Sequence, residues 1–253
     1  MNTNKIALVT GGSRGLGKNM ALSIAKKGLN VVITFNNNKE KAEEVVKEIE
    51  SLGQKAIAIQ LNVSDFNNFS SFFDEVKNEI TSKFGVEKID YLVNNAGIGI
   101  NTPFSETTQE QLDTLYNIQY KGPYLLTQEA LKLLNDGGGI VNISTGLTRF
   151  SLNGFSAYAS MKGAIEILTK YQAKELGERK IRANVIAPGA IETDFGGGVV
   201  RNNENMNKVI ASNTALGRVG LPDDIGSVVA FLCTDDAKWV NAQRIEVSGG
   251  QMI

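Results

Sequence analysis

Short runs of consecutive apolar residues alternate along this chain with longer stretches in which apolar residues recur every three or four positions. Ile6–Val9 is such a run and stops at Thr10-Gly11-Gly12; residues 15–28 then read as a helix closed by Gly28. A strand at Val31–Phe35 precedes a helix over about 38–52, where Val45, Ile49 and Leu52 share one face. A third strand, Ala56–Leu61, is followed by a helix with Phe66, Phe69, Phe73, Val76 and Ile80 on one side. The pattern predicts further strands at Ile89–Val93, Ile140–Ile143, Ile181–Ala187 and Arg244–Val247. Between them it predicts helices over about 109–134 and 156–177 and one opening at Leu221-Pro222, with a Gly137-Gly138-Gly139 turn before the fifth strand. Near-continuous apolar strands in unbroken alternation with helices imply α/β architecture. The expectation is one doubly wound Rossmann-type domain over 1–253, with a mostly parallel seven-stranded sheet and helices on both faces.

Composition narrows the chemistry. The 253 residues carry 26 Lys plus Arg against 27 Asp plus Glu, so no domain-wide basic field is present to attract nucleic acid. No apolar run approaches the about 18 residues needed to cross a bilayer, and the N-terminal run is too short for a signal peptide. The expectation is a soluble, cytoplasmic protein with neither a nucleic-acid nor a membrane partner. The single Cys233 excludes an intramolecular disulfide and a multi-cysteine metal site, and no metal is expected. His is absent, so acid–base work falls to Tyr, Lys, Asp, Glu or Cys.

The loop after the first strand, Thr10-Gly11-Gly12-Ser13-Arg14-Gly15-Leu16-Gly17, runs straight into a helix. Its glycines permit a tight turn and close backbone approach, and the helix start offers free N–H groups to a phosphate. A dinucleotide with a free 2′-hydroxyl is usually held by an acid at the end of strand two. That end here is Thr34-Phe35-Asn36-Asn37-Asn38, and no carboxylate follows until Glu40. Arg14 with the Asn36 and Asn37 amides suits a 2′-phosphate, which favours NADP(H) over NAD(H). Farther on, Tyr158 and Lys162 stand at i, i+4 on one helix face. A phenol titrates too high for efficient proton transfer, and a neighbouring cation or a positive nicotinamide ring lowers it.

Together, Thr10–Gly17, Asn94-Asn95-Ala96-Gly97 after strand four, Tyr158/Lys162, and Pro188-Gly189 after strand six resemble the short-chain dehydrogenase/reductase family, in order and over essentially the whole chain. The resemblance implies hydride transfer between a nicotinamide cofactor and a carbonyl or alcohol carbon. By position it implies that Gly11, Ser13, Gly15, Leu16 and Gly17 line the pyrophosphate and ribose, and that Asn62 and Val63 flank the adenine. Asn94, Ala96 and Gly97 would run beneath the adenosine and support the central strand. Pro188, Gly189, Ile191 and Thr193 would pack on the nicotinamide. Tyr158 would be the general acid/base, and Lys162 would hold the ribose and tune the phenol.

Two positions depart from the family pattern. Its substrate-orienting Ser, thirteen residues before the Tyr, is Thr145 here, with Ser144 beside it. Thr145 keeps a hydroxyl, and its extra methyl narrows the site. The family's Asn three residues before Gly122, which helps hold a relay water, is Gln119 here; Asn117 would face elsewhere. Gln119 keeps the backbone carbonyl and a longer amide.

On the substrate side, the Gly-rich and Asn-rich segment at about 194–213 is expected to form a mobile lid. Arg149 either meets an anionic substrate group or makes a structural salt bridge. The family members that look nearest are 3-oxoacyl-carrier-protein reductases and sugar or steroid-type dehydrogenases. A loop at Leu134–Gly139 without basic residues speaks against an acidic carrier. A non-catalytic NADP(H)-binding redox sensor is the competing reading. The resemblance also implies a homotetramer pairing the helices near 109–134 and 156–177, with Trp239, Val240 and Ile253 exposed for burial in it.

Overall fold

The computed structural model describes residues 5–253. Seven strands, β1 (Ile6–Val9), β2 (Asn30–Phe35), β3 (Ala56–Gln60), β4 (Ile89–Asn94), β5 (Leu134–Ile143), β6 (Arg182–Pro188) and β7 (Arg244–Val247), form one sheet in the order β3-β2-β1-β4-β5-β6-β7. Every strand pair is parallel, so the sheet is parallel throughout rather than mostly so.

The central strands are buried on both faces because successive side chains enter opposite cores. In β1, Ala7 and Val9 join one cluster, and Ile6 and Leu8 join the other. The first cluster lies under α1 (Gly15–Lys26), α2 (Lys39–Ser51) and α9 (Pro222–Leu232), which contribute Met20, Ile24, Val45, Ile49, Ile225 and Val229. The second lies under α3 (Phe69–Phe84), α5 (Gly122–Ala130) and α6 (Ser156–Glu175), with Phe69, Phe73, Val76, Ile80, Leu126 and Ala173. Each such aliphatic or aromatic side chain contributes about 1.5–3 kcal/mol on burial. Phe66 falls just outside α3 and is only half-buried, so the phenylalanine face starts one turn later than its spacing suggests.

Two elements differ from their sequence patterns. The helix expected over 109–134 is α4 (Gln109–Tyr116), then a π-helical turn, Asn117–Lys121, then α5. Pro123 supplies the reason: it has no N–H to give the Gln119 carbonyl, and its ring crowds that carbonyl in a regular α-helix. The triple glycine is not a turn before β5 but a bulge inside it. Leu134 pairs with Ile89, the register then slips, and Gly139 pairs with Tyr91.

Strand order reverses between β1 and β4, because the chain runs outward through β2 and β3 and returns on the other side of β1. In doubly wound sheets the crevice beyond the carboxyl ends at this reversal is where ligands bind.

Candidate active site

The loop leaving β1 is held from both sides. Thr10 Oγ1 donates to the Val93 carbonyl and accepts from the Asn95 and Ala96 amides at 2.9 and 3.0 Å. Asn95 Nδ2 donates to the Thr10 and Gly11 carbonyls at 2.8 and 3.3 Å. The Gly11 amide donates to Thr34 Oγ1 of β2 at 3.1 Å. Gly11 sits at φ +66°, in the left-handed region. A Cβ on Gly17 would overlap the Gly11 carbonyl oxygen and stand 2.5 Å from Asn95 Nδ2, so α1 presses directly on the loop. No side chain caps α1 at Arg14, leaving its first N–H groups directed into the crevice. Arg14 and, beyond β2, Asn36 and Asn37 are exposed. Ser13, Gly15 and Leu16 are half-buried, with Leu16 against the first core. Gly15 lies close to Thr193: a Cβ added there would be 3.7 Å from Thr193 Cβ.

Other residues that the sequence placed near a cofactor are partly committed to the protein. Asn94 is buried, and its Nδ2 donates to Thr127 Oγ1 and Asn142 Oδ1 at 3.0 and 2.8 Å. Its own Oδ1 has no partner among the described residues. Asn142 extends this chain to Thr169 and Gln172 of α6. Asn94 therefore knits the central strands, the support expected of it, while Ala96 beyond it is half-buried and Gly97 exposed. Asn62 is exposed and its Oδ1 accepts from Ser64. Val63 touches the start of α5 at Gly122.

Across the crevice, Tyr158 and Lys162 are both buried, one turn apart on α6. Lys162 Nζ donates to the Ile143 carbonyl at the end of β5 at 2.9 Å and lies 5.8 Å from the Tyr158 ring centroid. The Thr145 hydroxyl, which accepts from the Leu147 amide at 3.3 Å, lies near enough to the Tyr158 phenol to favour its ionised form. Burial dominates the electrostatics. It pushes the phenol well above its ordinary value, against the smaller lowering by Thr145, and draws the Lys162 ammonium down to about 7. The expected softening of the phenol by its lysine is thus not found in this state. Burial alone accounts for the lysine's shift, and it exceeds the lowering by Thr145 at the phenol.

Thr145 is fixed by its neighbours. Ser144 Oγ and Thr148 Oγ1 both donate to Glu166 Oε1 at 2.7 Å, and Arg244 Nε donates to the same oxygen at 2.8 Å. Arg244 also reaches Glu246, which Arg149 grips through its Nε and Nη2 while bonding the Gln251 and Met252 carbonyls. Of the two roles open to Arg149, the structure gives the salt bridge. Glu166, Arg244 and Asn95 were not singled out from sequence. Asn95 could have been, since it stands inside the Asn94–Gly97 motif.

Gln119 lies in the π turn, 1% exposed, and its Nε2 donates to the Ile98 carbonyl while its Oε1 has no partner. On the remaining side, Pro188 and Thr193 are buried, and the Ala190 amide beside Gly189 donates to Gln251 Oε1 at 2.9 Å. Ile191 bridges Gly220. The segment at 194–213 is more regular than its composition suggests. Short turns at Phe195–Gly198 lead to α7 (Val199–Asn202) and α8 (Glu204–Ser212), the latter capped by the Asn203 side chain. Phe195 projects from this segment and lies 5.9 Å from Tyr158, ring centroid to ring centroid.

A family model described as enoyl-(acyl carrier protein) reductase matches residues 11–252. A hydroxynaphthalene reductase-like protein, Arp2, of Metarhizium brunneum is 37% identical over 98% of this chain and 95% of its own. Among solved structures, the promiscuous reductase LugOII, described as catalysing keto-reduction at C1 during lugdunomycin biosynthesis, superposes with a TM-score of 0.93 at 35% identity, covering 98% of each chain. The landomycin C-6 ketoreductase LanV with bound NADP and rabelomycin gives 0.89 at 31% identity over 98% of this chain and 96% of its own.

Proposed function

We propose, because this chain belongs to the short-chain dehydrogenase/reductase family, that it is an NADP(H)-dependent ketoreductase with Tyr158 as its general acid. The observation that carries this reading is the buried Tyr158 phenol, with the Thr145 hydroxyl near it and the buried Lys162 ammonium one turn away on the same helix, 5.8 Å from the Tyr158 ring.

The residues fit the cofactor. A Cβ at Gly17 would fill the cradle between loop and helix, and the uncapped start of α1 suits a pyrophosphate. Gly11, Ser13, Gly15, Leu16 and Gly17 would hold that end. Arg14 with Asn36 and Asn37 would meet the 2′-phosphate, and Asn62 and Val63 would flank the adenine. Pro188, Gly189, Ile191 and Thr193 would take the nicotinamide end. Bound NADPH supplies the hydride that reaches the carbonyl carbon.

The protein's own part is to bind, orient and protonate. Thr145 and Tyr158 hydrogen-bond the substrate oxygen. As that oxygen gains negative charge, the Tyr158 O–H bond breaks and its proton passes to the oxygen, leaving a phenolate. The Lys162 cation beside it favours that phenolate, and proton return to Tyr158 runs by way of Lys162. Gln119 serves this return: Pro123 leaves its carbonyl without the usual helical donor, free for a water. Closure of the 194–213 segment, anchored at Thr193 beside Gly15, excludes water from the reacting carbon.

The substrate is an uncharged aryl-type ketone rather than a carrier-bound thioester. The names of the hydroxynaphthalene reductase-like relative and of the rabelomycin-bound ketoreductase support this, as does an Arg149 already engaged by Glu246. The chain also associates into a homotetramer in this reading. Tyr116 and Tyr124, with Ile167 and Tyr171 of α6, leave apolar surface outward on the expected helices, and Trp239 and Ile253 are 95% and 89% exposed. Val240 is half-buried already. Light scattering at four chain masses supports that assembly, and one chain mass refutes it.

Loss of NADPH absorbance against a panel of ketones tests the activity. Tyr158→Phe is expected to reduce turnover at least a thousandfold while NADPH still binds, and turnover retained in that variant removes Tyr158 from its role.

A further inference from the structure

Resting on that reading, we infer that Phe195, lying in the space left by the missing side chain of Gly99, makes the pocket selective for ketones that carry a flat aromatic ring over saturated ones of the same size. Gly99 belongs to the loop that follows Asn94–Gly97, and Phe195 to the segment after Thr193. The two meet over Tyr158. A Cβ at Gly99 would stand 2.7 Å from Phe195 Cε1 and 2.8 Å from Cζ, well inside the contact distance of two carbons. Glycine at 99 is therefore what lets the ring lie down onto the loop, tilted 54° to the Tyr158 ring at 5.9 Å. The ring is also anchored at its backbone, since the Phe195 amide donates to Thr193 Oγ1 at 3.2 Å.

Phe195 nevertheless remains 48% exposed. Gly99 and Tyr158 lie against part of it. Ile98 beside Gly99, Val199 and Met206 on the segment of Phe195, and Leu152 in the loop before α6 are exposed apolar side chains as well. The nearby charges are neutralised, with Arg201 on Asp194 at 2.8 Å. Exposed apolar surface at the mouth of a polar catalytic pair is the arrangement that takes an uncharged apolar ligand. A ketone oxygen set between Thr145 and Tyr158 places the adjoining ring system beside Phe195. An aromatic ring can stack there, offset or edge-on. A saturated ring is thicker and has no π face to offer.

The test compares 2-tetralone with 2-decalone, which share a skeleton and differ in one aromatic ring. The wild-type ratio of kcat/KM is expected to favour tetralone about tenfold. Phe195→Leu, which keeps bulk without the ring, and Phe195→Ala should both bring the ratio near unity, chiefly through KM. Gly99→Ala should lower the ratio by displacing the ring, and should lower it no further when Phe195 is already Ala. An unchanged ratio in both Phe195 variants, or an equal effect of Gly99→Ala in either background, overturns the inference. If neither ketone is turned over by wild type, the reductase reading fails instead. Calorimetric titration of the NADP⁺-treated protein with 2-naphthol and decahydro-2-naphthol then decides separately. Tighter binding of naphthol that is lost in Phe195→Leu sustains the pocket's selectivity, and equal affinities refute it.

Discussion

The two walls of the crevice are built differently. The wall at β1 and α1 is shaped by backbone: Gly11 and Gly17 in contact, and Thr10, Thr34 and Asn95 bonding main-chain groups. The wall at β5 and α6 is shaped by side chains from distant parts of the chain, with Ser144, Thr148 and Arg244 converging on Glu166, and Phe195 lying over Tyr158. A backbone wall depends on residue types at fixed spacing and suits a constant ligand. A side-chain wall can be re-cut one residue at a time and suits a variable one.

The largest expected effect breaks the first wall. Gly17→Ala places a methyl against the Gly11 carbonyl and Asn95 Nδ2, so either α1 or the loop must move. Overpacking costs about 1–3 kcal/mol. Weakening of the two Asn95 bonds adds about 1 kcal/mol each. A total near about 4 kcal/mol is expected from urea unfolding, with NADPH affinity lowered at least tenfold. A variant as stable as wild type, binding NADPH equally well, would show that the close approach does not shape this wall.

The same contrast explains what could be read from the chain alone. The β1 loop was legible because glycine, threonine and asparagine act there through local geometry. One helix end was legible for the same reason: Gly28, expected to close the first helix, follows α1 in the left-handed region at φ +88°. The π turn was not, because the apolar spacing runs through Pro123 undisturbed while the backbone cannot. The helices at 199–212 were hidden by glycine and asparagine content, although Asn203 is a good N-cap. In the Tyr158–Lys162 pair, residue types pointed to proton transfer, but the direction of the pKa shifts depends on burial that no spacing reveals. Glu166 reads as one more acid on α6. Only the return of β7 with Arg244 makes it the hub behind Thr145.

An effect of intermediate size sharpens the second wall. The folded protein releases the Lys162 proton near pH 7, and the unfolded chain holds it to about 10.5. Between these values the unfolded state binds more protons, so stability rises with pH. From pH 7 to 9.5, wild type should gain on the order of 3 kcal/mol relative to Lys162→Met. Tyr158, whose value burial raises, acts in the opposite sense only above about 10, where the unfolded phenol ionises first. Parallel stability–pH curves for the two proteins would mean that Lys162 is charged in the folded state across this range.

The smallest effect tests whether the hub orients Thr145. Glu166→Gln keeps an amide oxygen for Ser144 and Thr148 but removes the charge opposite Arg244. A half-buried carboxylate–guanidinium pair with this many bonds should resist the loss at modest cost, so the fold is expected to persist. Thr145 is held through its neighbours on both sides, and Arg244 also donates to its carbonyl at 3.4 Å, so its hydroxyl should lose alignment with Tyr158. The expected result is a five- to tenfold fall in kcat, with NADPH affinity unchanged within about twofold, since the first wall is untouched. Glu166→Asp, which restores the charge, should recover part of the rate. An equal fall in NADPH affinity would mean that the two walls move as one, and the division between a fixed backbone cradle and an adjustable side-chain wall would not hold.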